Sequence, residues 1–115
     1  MSQTEDVINH HLQSFGGGNV DELVSDYTED SVILFEDNLI TGLDNIRPFF
    51  EDFVTNTLPP GCDFEMKHMQ VVGDIGYIVW TAGTDKLSFK LGTDTFVVTD
   101  GKISQQTIAA LVEPK

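Results

Sequence analysis

Apolar positions in the N-terminal segment repeat with a helical period. Val7, Ile8, Leu12 and Phe15, with His11 among them, fall at i, i+1, i+5, i+8 and i+4, one stripe along a helix over residues 3–15. Gly16-Gly17-Gly18 ends that helix, since glycine tolerates a left-handed cap. A second helix starts at Asn19, whose side chain can cap it while Glu22 reaches back. Val20, Leu23, Val24 and Tyr27 make its buried face. Residues 31–36 read as a strand and Leu39 to Thr41 as a short returning one. Ile46, Phe49, Phe50, Phe53 and Val54 then give the cleanest helical period, with Pro48 in or just past the first turn, where a missing N–H matters least.

After Leu58-Pro59-Pro60-Gly61 the period changes to two. Strand-like segments run from about Cys62 to Val72, Ile75 to Ala82, Lys86 to Thr99 and Lys102 to Val112. Gly73-Asp74, Gly83-Thr84-Asp85 and Asp100-Gly101 separate them as hairpin turns, so the neighbours are antiparallel. The third long strand changes phase between Leu87, Phe89, Leu91 and Asp94, Phe96, Val98; one extra residue near Gly92 reconciles the two sets as a bulge. The expected fold is a single α+β domain over residues 1–115. Its sheet is cone-shaped, strongly bent and mixed but mostly antiparallel, with the three helices of the N-terminal half on the concave face. Such a cone encloses a pocket between sheet and helices.

Charge and cysteine content narrow the function classes. The 115 residues carry 6 Lys and Arg against 19 Asp and Glu, a formal charge of −13. That balance argues against binding nucleic acid or an anionic membrane surface. Cys62 is the single cysteine, so neither an internal disulfide nor a multi-thiolate metal site is open to the chain. Residues 1–30 hold no apolar signal core, and no apolar run reaches membrane-spanning length; a cytoplasmic location is the expectation.

Three blocks carry a family likeness: residues 27–32 (Tyr-Thr-Glu-Asp-Ser-Val), residues 42–50 from Gly42 to Phe50, and residues 93–103 from Thr93 to Ile103. Together with the element order, they make the chain resemble the NTF2-like superfamily, most of all its SnoaL-like and ketosteroid-isomerase-like branch. That superfamily includes isomerases, polyketide cyclases, dehydratases, epoxide hydrolases and non-catalytic binding proteins, so fold does not give function. Ketosteroid isomerases use a carboxylate base with a Tyr and a protonated Asp as oxyanion hole. By resemblance, the base position is Phe35 here, the oxyanion-hole Asp is Asp94, and the oxyanion-hole Tyr is replaced by His11. Glu36 and Asp37 adjoin the lost base, but Glu36 points to the opposite face of the strand. The Arg between two carboxylates that an epoxide hydrolase of this superfamily needs has no counterpart, because Arg47, the one Arg, lies on the outer turn of the third helix.

The residues themselves support the same candidates. Asp94 shares parity with Phe96 and Val98 and so points into the pocket, where an apolar setting raises a carboxyl's pKa towards general acid–base use. The alternative is a structural Asp bonded to backbone or to Thr93 and Thr95. His11 can donate to a substrate carbonyl or pair with Asp94; the alternative is a core histidine satisfied by a backbone carbonyl. Phe35, Phe53, Trp80, Phe96 and Tyr27 are the expected substrate-binding wall, the Tyr27 hydroxyl lying near the surface. His10 falls off the apolar stripe and is expected in solvent, while His68 shares parity with Phe64, Met66, Gln70 and Val72. No metal or cofactor is expected: His10 and His11 diverge by about 100° around a helix, and Gly16-Gly17-Gly18 lacks the strand and Lys of a phosphate loop.

The expected function is a pocket for a small hydrophobic molecule, with an isomerase- or cyclase-like acid–base enzyme acting on a carbonyl-bearing substrate. The alternative is a non-catalytic ligand-binding or dimerisation module. Apolar residues on both parities of the long strands (Ile75, Tyr77, Val79 against Ile78, Trp80, Ala82) further predict a homodimer through the sheet face.

Overall fold

The computed structural model describes residues 2–115. Helix α1 (Gln3–Gly16) and short helix α2 (Val20–Val24) lead into strand β1 (Tyr27–Phe35) and its antiparallel partner β2 (Asn38–Thr41). Helix α3 (Leu43–Asp52) runs on into a π-helical turn, Phe53–Thr57. Strands β3 (Asp63–Val72), β4 (Ile75–Gly83), β5 (Leu87–Thr99) and β6 (Lys102–Pro114) follow. The single six-stranded sheet has the order β2-β1-β6-β5-β4-β3, with β1 and β6 parallel and every other pair antiparallel. The expected α+β layout, with three helices on one face of a bent mixed sheet, is the one adopted.

The helices sit where side chains let them approach. The Ser2 hydroxyl caps α1 by accepting from the Glu5 N–H at 3.1 Å, and Thr4 donates to the Gly73 carbonyl at 2.7 Å in the β3–β4 turn. Over β4, Ile8 occupies the space a Cβ on Gly76 would fill, so glycine there lets α1 lie against the sheet. The core gathers Ile8, Leu23, Ile33, Ile46, Phe50, Ile78, Phe96 and Ile103, all nearly solvent-free. Burial of this apolar surface between helices and sheet is the main term holding the two layers together.

Two local expectations change, for Tyr27 and His68, and two are met, Pro48 just past the first turn and a bulge near Gly92. Tyr27 belongs to β1 and not to the second helix. The Ile103 N–H donates to the Asp26 carbonyl at 2.7 Å and Lys102 Nζ to the Ser25 carbonyl at 2.6 Å, which draws the chain into the sheet after one helical turn. Pro48 is the sixth residue of α3, beyond its first turn, on an exposed position. The phase change in β5 is a bulge at Lys90, two residues before Gly92: Phe89 pairs with Val112 and Leu91 with Leu111. A second bulge at Lys67 in β3 separates the Met66–Trp80 pair from the His68–Val79 pair. It flips the parity expected for His68, which lies with Gln70 and Val72 on the outer face while Phe64 and Met66 turn inward.

Candidate functional site

The mouth of the cone is a cavity of about 120 Å³ between α1, the end of α3 and the inner face of the sheet. Its apolar wall includes Phe15, Phe50, Phe53, Leu58, Ile78 and Ile108, and its polar groups are His11, Trp80, Asp94 and Gln106. Asp94 lies mid-sheet on β5, with Ile78 of β4 on one side and Ile108 of β6 on the other. Both neighbours are apolar, and Asp94 is 7% exposed.

Two N–H groups hold that carboxyl. Trp80 Nε1 donates to Asp94 Oδ1 at 2.9 Å, and Gln106 Nε2 donates to Asp94 Oδ2 at 2.9 Å. Burial raises its pKa from 3.8 to about 6 against the opposing pull of the two N–H bonds. Gln106 Oε1 in turn accepts from the Tyr27 hydroxyl, and that hydroxyl lies 3.4 Å from His11 Nδ1. A polar chain therefore runs Trp80–Asp94–Gln106–Tyr27–His11 through an otherwise apolar interior. Burial lowers the His11 pKa to about 3, so the ring is neutral across the physiological range; it is packed among Phe15, Tyr27, Phe50 and Phe96 at centroid distances of 5.2 to 6.3 Å. Burial likewise pushes the Tyr27 phenol well above its usual value, so Tyr27 keeps its proton.

The structure brings together most of the residues singled out from sequence. Asp94 and His11 face the same cavity, and Trp80 and Phe53 form part of its wall. They are joined through Gln106 and Tyr27 rather than by direct contact. Tyr27 stands behind the wall, 4% exposed, its hydroxyl buried and not near the surface as expected. Phe96 lies beneath His11, and Phe35 packs on Phe49 and Phe53; neither lines the cavity.

Gln106 went unrecognised in the sequence. A third register shift, between Val97–Gln105 and Val98–Ile103, puts both Ile103 and Gln106 on the inner face three residues apart, which hides Gln106 from a strict alternation. Counting back from Ile108 would have found it. His10 departs from expectation too. Its Nδ1 contacts both oxygens of the buried Asp26 carboxylate at 2.8 and 2.9 Å, and its Nε2 contacts Glu22 at 3.0 Å. These carboxylates raise its pKa, the Asp26 bond contributing most. Glu22 thus spends its side chain on His10, while its backbone N–H is capped by Asn19 at 3.2 Å. Among the described residues, no three His, Cys, Asp or Glu side chains gather as a metal site, and no helix is long and apolar enough to cross a membrane.

A SnoaL-like domain profile matches residues 8–106. The chain belongs to the SnoaL-like domain family. Solved structures share the fold of this SnoaL-like protein at low identity. An NTF2-like protein of unknown function from Mesorhizobium loti is 21% identical over 95% of this chain and 91% of its own, with a TM-score of 0.81. The epoxide hydrolase/cyclase-like enzyme SalBIII, which has a role in pyran ring formation in the polyether salinomycin, is 17% identical over 97% and 95%, with a TM-score of 0.80. A candidate SnoaL-like polyketide cyclase from Shewanella putrefaciens is 13% identical over 96% and 80%, with a TM-score of 0.78. Comparison with curated proteins returns no match. At these identities the likeness establishes the fold; the chemistry must be argued from the cavity itself.

Proposed function

We propose that this SnoaL-like protein is an acid–base enzyme of isomerase or cyclase type, moving a proton on a small, largely apolar, carbonyl-bearing substrate. Asp94 carries the reading: a carboxyl between Ile78 and Ile108 at the cavity wall, with a pKa of about 6, exchanges a proton readily near neutral pH. Trp80 and Gln106 fix its two oxygens, so its remaining lone pairs are aimed without reorganisation. His11 is the second polar group within reach of a ligand, and Phe53 and Trp80 supply apolar contact. Tyr27 and Phe96 act at one remove, holding Gln106 and His11 in place. Phe35 supports Phe53 from behind. The protein works as a homodimer joined through the outer sheet face.

A second reading, a non-catalytic ligand-binding module, draws on the aromatic crowding of Phe15, Phe50 and Phe53 around a small cavity. Solvent deuterium exchange separates the two. With cyclohexanone in D2O, the enzyme should speed exchange at the α-carbons above the buffer rate, and Asp94→Asn should lower that acceleration by about 10²-fold. No acceleration by the unmodified protein would favour the binding module.

A further inference from the structure

We infer that His11 offers an unprotonated Nε2 to the cavity, and that the carbonyl-bearing ligand is a neutral ring compound that also carries a hydroxyl, whose O–H donates to it. The inference rests on the reading of this cavity as the ligand site, and it narrows the substrate class. It follows from the direction of each hydrogen bond in the buried chain. A carboxylate only accepts, so the Gln106 group facing Asp94 Oδ2 is its NH2, and the Gln106 carbonyl faces Tyr27. Tyr27 must then donate its single proton to Gln106 Oε1. The contact between the Tyr27 oxygen and His11 Nδ1 is consequently made by an Nδ1–H donor. A neutral imidazole has one N–H, so the lone pair falls on Nε2. Among the described residues Nε2 has no hydrogen-bond partner, and His11 lines the cavity.

The polar wall of the cavity is therefore acceptor-rich. The Trp80 N–H and one Gln106 N–H are turned onto Asp94, so against the one remaining Gln106 N–H stand the Asp94 oxygens and His11 Nε2 to receive hydrogen bonds. Among the described residues no Lys or Arg lines the space, so an anion meets the Asp94 carboxylate without a compensating side-chain cation. A hydroxyl satisfies His11 Nε2; a ketone or ether oxygen at the same place meets a lone pair. The volume, about 120 Å³, is below the roughly 150 Å³ of a cavity that holds benzene, so the space takes one small ring at most.

Two measurements test this on the intact protein. In ¹⁵N NMR, the His11 ring should show the Nδ1–H tautomer from pH 7 to 8, where Asp94 is ionised. An Nε2–H pattern would overturn the inference, because it requires the whole chain to run the other way. In titrations with rings of matched size, cyclohexanol should bind at least about ten-fold more tightly than cyclohexanone, and cyclohexanecarboxylate should not bind. His11→Leu should remove the alcohol preference. Equal affinities, a ketone preference or failure of the alcohol to bind would each overturn the inference. These outcomes stand apart from the proton-transfer reading: loss of deuterium exchange leaves the alcohol preference intact, and loss of the alcohol preference leaves Asp94-dependent exchange intact.

Discussion

The indole of Trp80 lies flat on the backbone of Gly92, its cross-strand partner, in the space a Cβ would occupy. This contact sets the catalytic geometry proposed above, because it lets Nε1 reach Asp94, two residues further along the same face of β5. Gly92→Ala should force the ring away and break that bond. We expect a loss of about 1–3 kcal/mol in stability, as for other overpacked interiors. The Asp94 pKa should rise further, since a donor that favours the ionised form is lost. Chemical denaturation and ¹³C titration of the Asp94 carboxyl measure the two effects separately; an unchanged pKa would show that Trp80 does not restrain Asp94.

Asp94 also makes stability depend on pH. Its folded pKa of about 6 exceeds 3.8, so the folded state binds the proton more tightly than the unfolded chain. Its contribution is complete below the unfolded value and is lost as pH rises through about 6, a change on the order of 3 kcal/mol. Asp94→Asn should flatten that part of the profile and hold or raise the melting temperature at pH 8 while catalysis falls. A variant that unfolds at pH 8 would mark Asp94 as a structural anchor instead.

Alternating parity was enough to place Asp94, Phe96 and Val98 inward on β5, and the helical stripe was enough to turn His11 towards them. Both signals are local and depend on one regular element each. What escaped depended on the breaks between regular stretches. The Lys67 bulge moved His68 outward, and the irregularity near Ser104 concealed Gln106. An inserted strand residue changes every later side chain's face, and sequence marks it only when apolar residues appear on both parities, as around Gly92. The buried Tyr27 hydroxyl was hidden for another reason. Its partner is 79 residues away, and no local pattern announces a buried polar pair of that separation.

Tyr27→Phe should isolate the two ends of the polar chain. It leaves Gln106 Oε1 and His11 Nδ1 facing an apolar ring edge in the interior. Two buried polar groups without partners should cost about 1–3 kcal/mol or more, even though the lost atom is small. The cavity wall is untouched, because Tyr27 stands behind it. Urea midpoints should fall, and the preference for cyclohexanol should weaken because the oxygen that holds the His11 proton on Nδ1 is gone; an unchanged midpoint would mean the chain adds nothing to stability.

His10 gives a separate pH response at the base of α1. It faces Asp26 and Glu22, and Lys102 stands near Asp26 from β6. The two carboxylates raise the His10 pKa above 6.5, so the folded state again holds the proton more tightly. The contribution is fully present below pH 6.5 and disappears as pH rises through the higher folded value. Burial raises Asp26 as well, and its titration acts in the same direction. His10→Ala should remove the decline in urea midpoint between pH 6.5 and 8 and lower the midpoint at pH 6. A variant with the parent's slope would place the titration elsewhere.

The outer face of the sheet bears on assembly. Its central outward positions are Ile75, Tyr77, Val79 and Thr81 on β4, Leu91, Thr93, Thr95 and Val97 on β5, and Gln105, Thr107, Ala109 and Leu111 on β6. None of these is charged, in a chain with a formal charge of −13, and Glu65 beside Thr81 and Glu113 beside Ser88 stand at the margin of the same face. Ile75, Tyr77, Leu91 and Leu111 are each at least 37% exposed. A central face without charged side chains, with apolar ends and small Thr and Ala side chains at its centre, fits a second copy of itself, since a two-fold contact brings like surface onto like without opposing charges at its centre. Light scattering at micromolar concentration should give about 25 kDa, twice the chain mass of 12.7 kDa. Tyr77→Glu, which sets two carboxylates into that contact, should halve the mass while circular dichroism keeps its shape. A mass of 12.7 kDa for the unmodified protein would rule the dimer out.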